Sequence, residues 1–198
     1  MERSKTRDII VDAARQIFAR KGVENVTMND IAIAAKKGLR TLYTYFNNNE
    51  ELYWAVAETE LDLLSDMMEQ AACKEVSPDK KIIDVIYARL ETVKAEVYRN
   101  GTLKADFFRD IWKVETVRKR FDLRQILLFK QLLREGVEKG VFDIEDVDFT
   151  AVLMHYCVKG IEVPYIRGQI GAHLSKEKRK EYVSDIVFGA LHKKSFIK

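Results

Sequence analysis

Apolar positions along this chain recur with helical spacing almost from end to end. Over residues 3–21, Ile9, Ile10, Ala13, Ala14, Ile17 and Phe18 share one face, and Gly22 follows Arg20 and Lys21 where a helix would stop. Residues 27–46 divide into two short helices. Thr27 with Asp30 three residues on is the signature of a helix N-terminus, and Met28, Ile31, Ala32 and Ala35 form one apolar face behind it. Lys36-Lys37-Gly38 interrupts that face, with Gly38 expected to take up the tight backbone. In the helix that follows, Leu42 and Phe46 lie one turn apart and face inward, leaving Arg40, Thr41, Tyr43 and Thr44 outward.

The same pattern continues in longer units. A helix from Glu50 to about Cys73 buries Leu52, Val56, Leu61, Leu64 and Met68. Ser77-Pro78-Asp79 reads as cap, first-turn proline and acidic second position of the next helix, which ends around Asn100-Gly101. Residues 103–139 are expected to be helical with an interruption at Lys113 to Thr116. Asp143 to Asp146 open a helix that Pro164 ends or kinks. Ser175 caps a last helix with Val183, Ile186, Val187, Ala190 and Leu191 as its stripe. The expected fold class is all-α, and only 2 Pro and 9 Gly in 198 residues fit few, long elements.

Charge separates the chain in two. Residues 1–50 carry 9 Lys/Arg against 6 Asp/Glu, whereas residues 51–198 carry 25 of each, so the net charge of +3 sits entirely in the first quarter. That is where a phosphate partner would want it. Cys73, Cys157 and 3 His are too few and too scattered for a disulfide framework or a metal site, and no metal or cofactor is expected. The charged start lacks an apolar signal segment and no apolar run would span a bilayer, so a cytoplasmic setting without membrane contact is expected. Catalysis is not expected: His155 and Cys157 project about 200° apart on a helix, and no nucleophile elbow or P-loop occurs.

Two short helices, a Gly-containing turn and a polar, aromatic outward face describe a helix-turn-helix, whose second helix lies in the DNA major groove. Tyr43, Tyr45 and Phe46 crowd successive positions and cannot all face one core, so at least one tyrosine is outward beside Arg40. The run Ile31-Ala32, Ala34-Ala35, Thr41-Leu42-Tyr43, Tyr45-Phe46 and Asn48-Glu50-Glu51-Leu52 resembles the tetracycline-repressor (TetR) family of bacterial transcription regulators. That resemblance covers roughly the first quarter of the chain. It implies that Thr27, Asn29, Lys37, Leu39, Arg40, Thr41, Tyr43, Thr44, Tyr45 and Asn49 form the DNA-binding set. Arg40 would pair with guanine and Asn29 with adenine, each worth about 1–3 kcal/mol of discrimination. The family usually has glycine where this chain has Lys36, serine at Gly38, a polar residue at Leu39 and lysine at Asn49.

The resemblance further implies two domains, a helix-turn-helix head over 1–48 and a larger helical domain over 49–198 that binds an effector and dimerises. Aromatics at helical spacing are ordinarily core; read as pocket lining, the candidates are Tyr87, Phe107, Phe108, Trp112, Phe129 and Tyr156, around a small apolar ligand. A homodimer through the last two helices would set two readers on a palindromic operator of double-stranded DNA. The expected function is a transcriptional regulator, of repressor type, released by its ligand. The rival reading is a helical ligand-binding module that has lost DNA binding.

Overall fold

The computed structural model describes residues 5–100 and 111–191, with side chains over 5–95 and 118–189. The described chain is all-α. The helices are α1 (Lys5–Lys21), α2 (Met28–Ala34), α3 (Leu39–Tyr45), α4 (Asn49–Ala72), α5 (Pro78–Asn100), α6 (Ile111–Glu138), α7 (Val147–Ile166) and α8 (Lys176–Leu191), with one 3-10 turn at Val23–Asn25. They fall into two compact units, residues 1–63 with 96–119, and 64–95 with 120–198. The first division lies inside α4.

In the first unit the apolar faces predicted for α1 and α2 meet α3 and the start of α4. Ile10, Ala14, Phe18, Ile31, Leu42, Phe46, Leu52 and Val56 are all essentially solvent-free. α1 stops where its sequence says it should: Gly22 takes φ 79°, and its N–H donates to the Phe18 carbonyl at 2.9 Å. α2 starts on a reciprocal capping box. The Asp30 N–H donates to the Thr27 hydroxyl at 3.2 Å, and the Thr27 N–H donates back to the Asp30 carboxylate at 2.9 Å. The turn between α2 and α3 differs from expectation. Gly38 is extended (φ −66°, ψ 144°), and the left-handed residue is Lys36 at φ 52°. The chain reverses directly after Ala35, so the strained geometry falls two residues earlier than the glycine.

In the second unit α5 begins at Pro78, whose missing N–H is one a first turn does not use. α6 runs unbroken through residues 113–116, correcting the expected interruption. That segment, Lys-Val-Glu-Thr, loses apolar periodicity but holds neither glycine nor proline, so nothing in it opposes helical hydrogen bonding by more than a few tenths of a kcal/mol per residue. Asp146 caps α7 by accepting from the Phe149 N–H at 2.9 Å, Pro164 lies two residues before its end, and Ser175 caps α8. Gly136 is required for close approach: a Cβ there would stand 2.0 Å from the Phe142 ring.

The core of this unit carries charge as well as hydrocarbon. Arg89, Gln125 and His155 are fully buried, with Ser65 and Glu162 nearly so. Arg89 Nε donates to Glu162 Oε1 at 2.8 Å, and Nη1 lies 3.4 Å from His155 Nδ1. A guanidinium can only donate, so Nδ1 is the acceptor there, and the other ring nitrogen is Nε2. That nitrogen lies 3.2 Å from Asp122 Oδ1, close enough for attraction but poorly aligned for a hydrogen bond. Lys159 holds the other Asp122 oxygen. Burial pushes the Asp122 carboxyl up, but His155 and Lys159 outweigh it and bring it down to about 2.

Two outcomes follow. Lys36→Gly relieves the left-handed backbone and should stabilise the first unit by about 0.5–1 kcal/mol in thermal melts. The folded Asp122 value lies below its ordinary 3.8, so its contribution is complete above that value and is lost as pH falls through about 2. Asp122→Asn should therefore cost about 1–2 kcal/mol near neutral pH, after allowing for partial solvent screening. By about pH 2 the difference from the parent chain should have shrunk, as read by denaturant titration.

Candidate nucleic-acid interface

α3 has only seven residues, and its orientation is fixed by what it buries. Leu42 and Phe46 are held in the core, so residues 100° and 200° away around the axis must face out. Tyr43 is 50% exposed and Leu39 38%; Arg40 and Thr44 are exposed, and Thr41 is half-buried. Thr44 donates its hydroxyl to the Arg40 carbonyl at 3.1 Å, which leaves the Thr44 oxygen able to accept. The outward face therefore offers an apolar pair, Leu39 and Tyr43, next to a polar pair, Arg40 and Thr44. Such a surface can make methyl contacts and bidentate donation to base edges.

The flanking residues divide between exposed surface and internal use. Asn29 is exposed on the first turn of α2, and Lys37 is half-buried just before α3. Thr27 is exposed, but its hydroxyl donates to Asp30 at 2.6 Å and accepts the Asp30 N–H, so capping engages it. The Thr27 hydrogen bonds, with Lys21 nearby, lower the Asp30 carboxyl and keep it ionised at the helix's positive end. Tyr45 is half-buried against the core. Asn49 donates its side-chain amide to two carbonyls, Val23 at 3.2 Å and Val26 at 2.9 Å. Its amide N–H groups are thus used within the fold, and only its backbone remains for a phosphate.

Two contacts that brace this face were not predicted from the sequence. Asn48 Oδ1 accepts the Glu51 N–H at 2.8 Å while Glu51 accepts from the Asn47 N–H at 2.7 Å, closing the turn after α3. The Asn-x-x-Glu spacing was the available signal. The Arg7 guanidinium lies 5.3 Å from the Phe46 ring centroid and braces α1 against the end of α3. No local pattern announces that contact.

The candidates for lining a pocket in the helical domain over 49–198 lie in different surroundings. Tyr87 and Phe129 are buried. Tyr156 is 54% exposed, because it follows buried His155 by 100° of helix. Phe107, Phe108 and the side chain of Trp112 lie outside the described residues. Among the described residues no group of His, Cys, Asp and Glu could hold a metal ion, and no helix is long and apolar enough to cross a membrane.

Residues 10–56, which contain this whole interface, match the family model described as bacterial regulatory proteins, tetR family. An HTH-type transcriptional regulator of Staphylococcus aureus strain USA300 is 32% identical over 183 residues, spanning 92% of each chain. The fold resembles the fatty acid degradation regulator FadR from Bacillus halodurans, with TM-score 0.73, 18% identity and coverage of 98% and 100% of the two chains. It also resembles the transcriptional regulator FadR from Bacillus subtilis in complex with stearoyl-CoA, with TM-score 0.66, 15% identity and coverage of 93% and 99%.

The geometry separates two residues that the sequence placed in one set. Asn49→Ala should lower the stability of the head by about 1–2 kcal/mol, since it takes the side-chain donor from the Val26 carbonyl and leaves the Val23 carbonyl only the Val26 N–H. Tyr43→Ala should leave the melting transition within about 0.5 kcal/mol of the parent. Calorimetry on the two variants checks the contrast.

Proposed function

The chain belongs to the TetR family of bacterial transcription regulators, and from that premise we propose that it is a repressor binding a palindromic operator as a ligand-released homodimer. The observation that carries the DNA-binding part is the outward face of α3, where Arg40, Tyr43 and Thr44 stand clear of the core that Leu42 and Phe46 occupy. Arg40 reads a base edge, Leu39 and Tyr43 pack on thymine methyls, and Asn29, Lys37 and the backbone at Asn49 approach phosphates.

One seven-residue helix reads too few base pairs to select a site, so a second copy is needed about 34–36 Å away on a two-fold axis. The apolar faces of α7 and α8 support a dimer. Phe149 and Leu153 on α7 are more than half exposed, and Ile186 on α8 is 75% exposed. The effector enters the second unit. FadR from B. subtilis, solved with stearoyl-CoA, makes a molecule with a long acyl chain the first candidate. α4 belongs to both units and follows α3 directly in the chain, so it is our candidate for passing the signal from effector to α3. A coupling of roughly 1–3 kcal/mol would suffice.

Fluorescence anisotropy with duplex DNA tests the reading. Affinity should fall steeply and log-linearly with salt. Arg40→Ala and Tyr43→Ala should each weaken binding to the preferred duplex roughly tenfold or more while the fold is kept. Ile186→Asp should shift the protein toward monomer in sedimentation and weaken DNA binding with it. A salt-independent signal, or variants that bind as the parent does, would instead favour a helical ligand-binding module without a DNA role.

A further inference from the structure

α7 carries an apolar stripe that its own subunit leaves uncovered. Phe149, Leu153, Tyr156, Gly160 and Val163 recur at spacings of four and three, the heptad spacing with which one helix packs along another. Phe149, Leu153 and Tyr156 are more than half exposed, and Val163 is exposed as well. Gly160 lies inside the helix, where glycine is less favourable than alanine. Its own subunit gives no reason for it, because a Cβ there would meet nothing within 4 Å. Gly136 shows the contrast, since its missing Cβ admits the Phe142 ring. α6 runs antiparallel beside α7, with Lys130 on Asp148 at one end and Lys159 on Asp122 at the other. Leu123 and Leu127, between those two ion pairs, are also more than half exposed and widen the stripe into a two-helix face. Charge is divided along its length. Asp143, Glu145 and Asp146 stand exposed where α7 begins, and Arg120 and Arg167 stand exposed toward the opposite end.

We infer that a second copy of this chain lies antiparallel across α7, with Tyr156 of each copy seated over Gly160 of the other. Residues in a two-fold contact meet reciprocally. This register therefore sets Leu153 against Val163 and brings Phe149 to Arg167, whose cation can lie on the ring. It also sets the acidic end of each copy against the basic end of the other, whereas a parallel pairing would bring like charges together. One helix stripe is narrow beside the roughly 800 Å² per partner of a stable interface, and Leu123 and Leu127 supply a flank. The register rests on the homodimer reading and goes past it, by assigning Gly160 as the seat and extending the seam to α6.

Cys157 is exposed and lies in sequence between the seat and its occupant, so it serves as a native probe of the seam. In a Cys73→Ala chain a short bismaleimide should join two copies through Cys157, and Cys157→Ser should abolish the product. Gly160→Leu places its Cβ against no atom of its own subunit, so circular dichroism should show the helix content of the parent. Its dimer dissociation constant, read by sedimentation, should nevertheless rise at least roughly tenfold. Leu127→Arg should weaken the dimer in the same way. A dimeric Cys73→Ala chain that is not joined through Cys157, or a Gly160→Leu chain that dimerises as the parent does, would overturn the inference while leaving the homodimer reading intact. A parent chain that stays monomeric at every concentration would remove both.

Discussion

The head of this protein depends on one side chain, Asn49, which ties the first turn of α4 to the carbonyls of Val23 and Val26. Those carbonyls belong to the loop between α1 and α2, so the clamp closes the chain around α3 on both sides. α3 itself is too short to be a stable helix alone. Its form comes from the burial of Leu42 and Phe46 against α1, α2 and α4, and its orientation from the closed frame that Asn49 completes. Recognition of base edges needs side chains held in register, and the frame around the α3 face proposed for that role is closed by hydrogen bonds that use none of its outward side chains.

What could be read in the sequence was whatever depends on neighbours within a turn or two. The Thr27–Asp30 box, the Gly22 stop, the Asp146 and Ser175 caps and the inward pair Leu42–Phe46 are local, and the structure contains each of them. Contacts between distant parts of the chain were illegible. Asn49 reads as a surface residue until Val23 and Val26 are brought to it, and Arg89 gives no hint of Glu162, 73 residues away. The turn was misread because glycine is only the least costly left-handed residue. Lys36 adopts that geometry, while Gly38 lies extended at the start of α3. Helical spacing likewise marks a face as apolar without saying whether the core or another chain covers it.

The two units use polarity differently. In the head, charged and polar side chains are displayed and the core is hydrocarbon. In the second unit charges are drawn inward, and Arg89, Glu162, His155 and Asp122 link α5, α6 and α7 through one chain of contacts. Buried charge contributes little net stability, but each group fixes its neighbour across three helices. α7 is among them, and it also carries the exposed apolar face assigned to the second copy.

The most direct test of the regulator reading is selection of bound sequences from random duplex DNA with the purified full chain at moderate salt. A two-fold symmetric motif should be enriched, its half-sites separated by one helical turn or a multiple of it. A folded, dimeric protein that enriches no sequence, or a motif without symmetry, would contradict the assignment of α3 as one of two symmetry-related DNA readers.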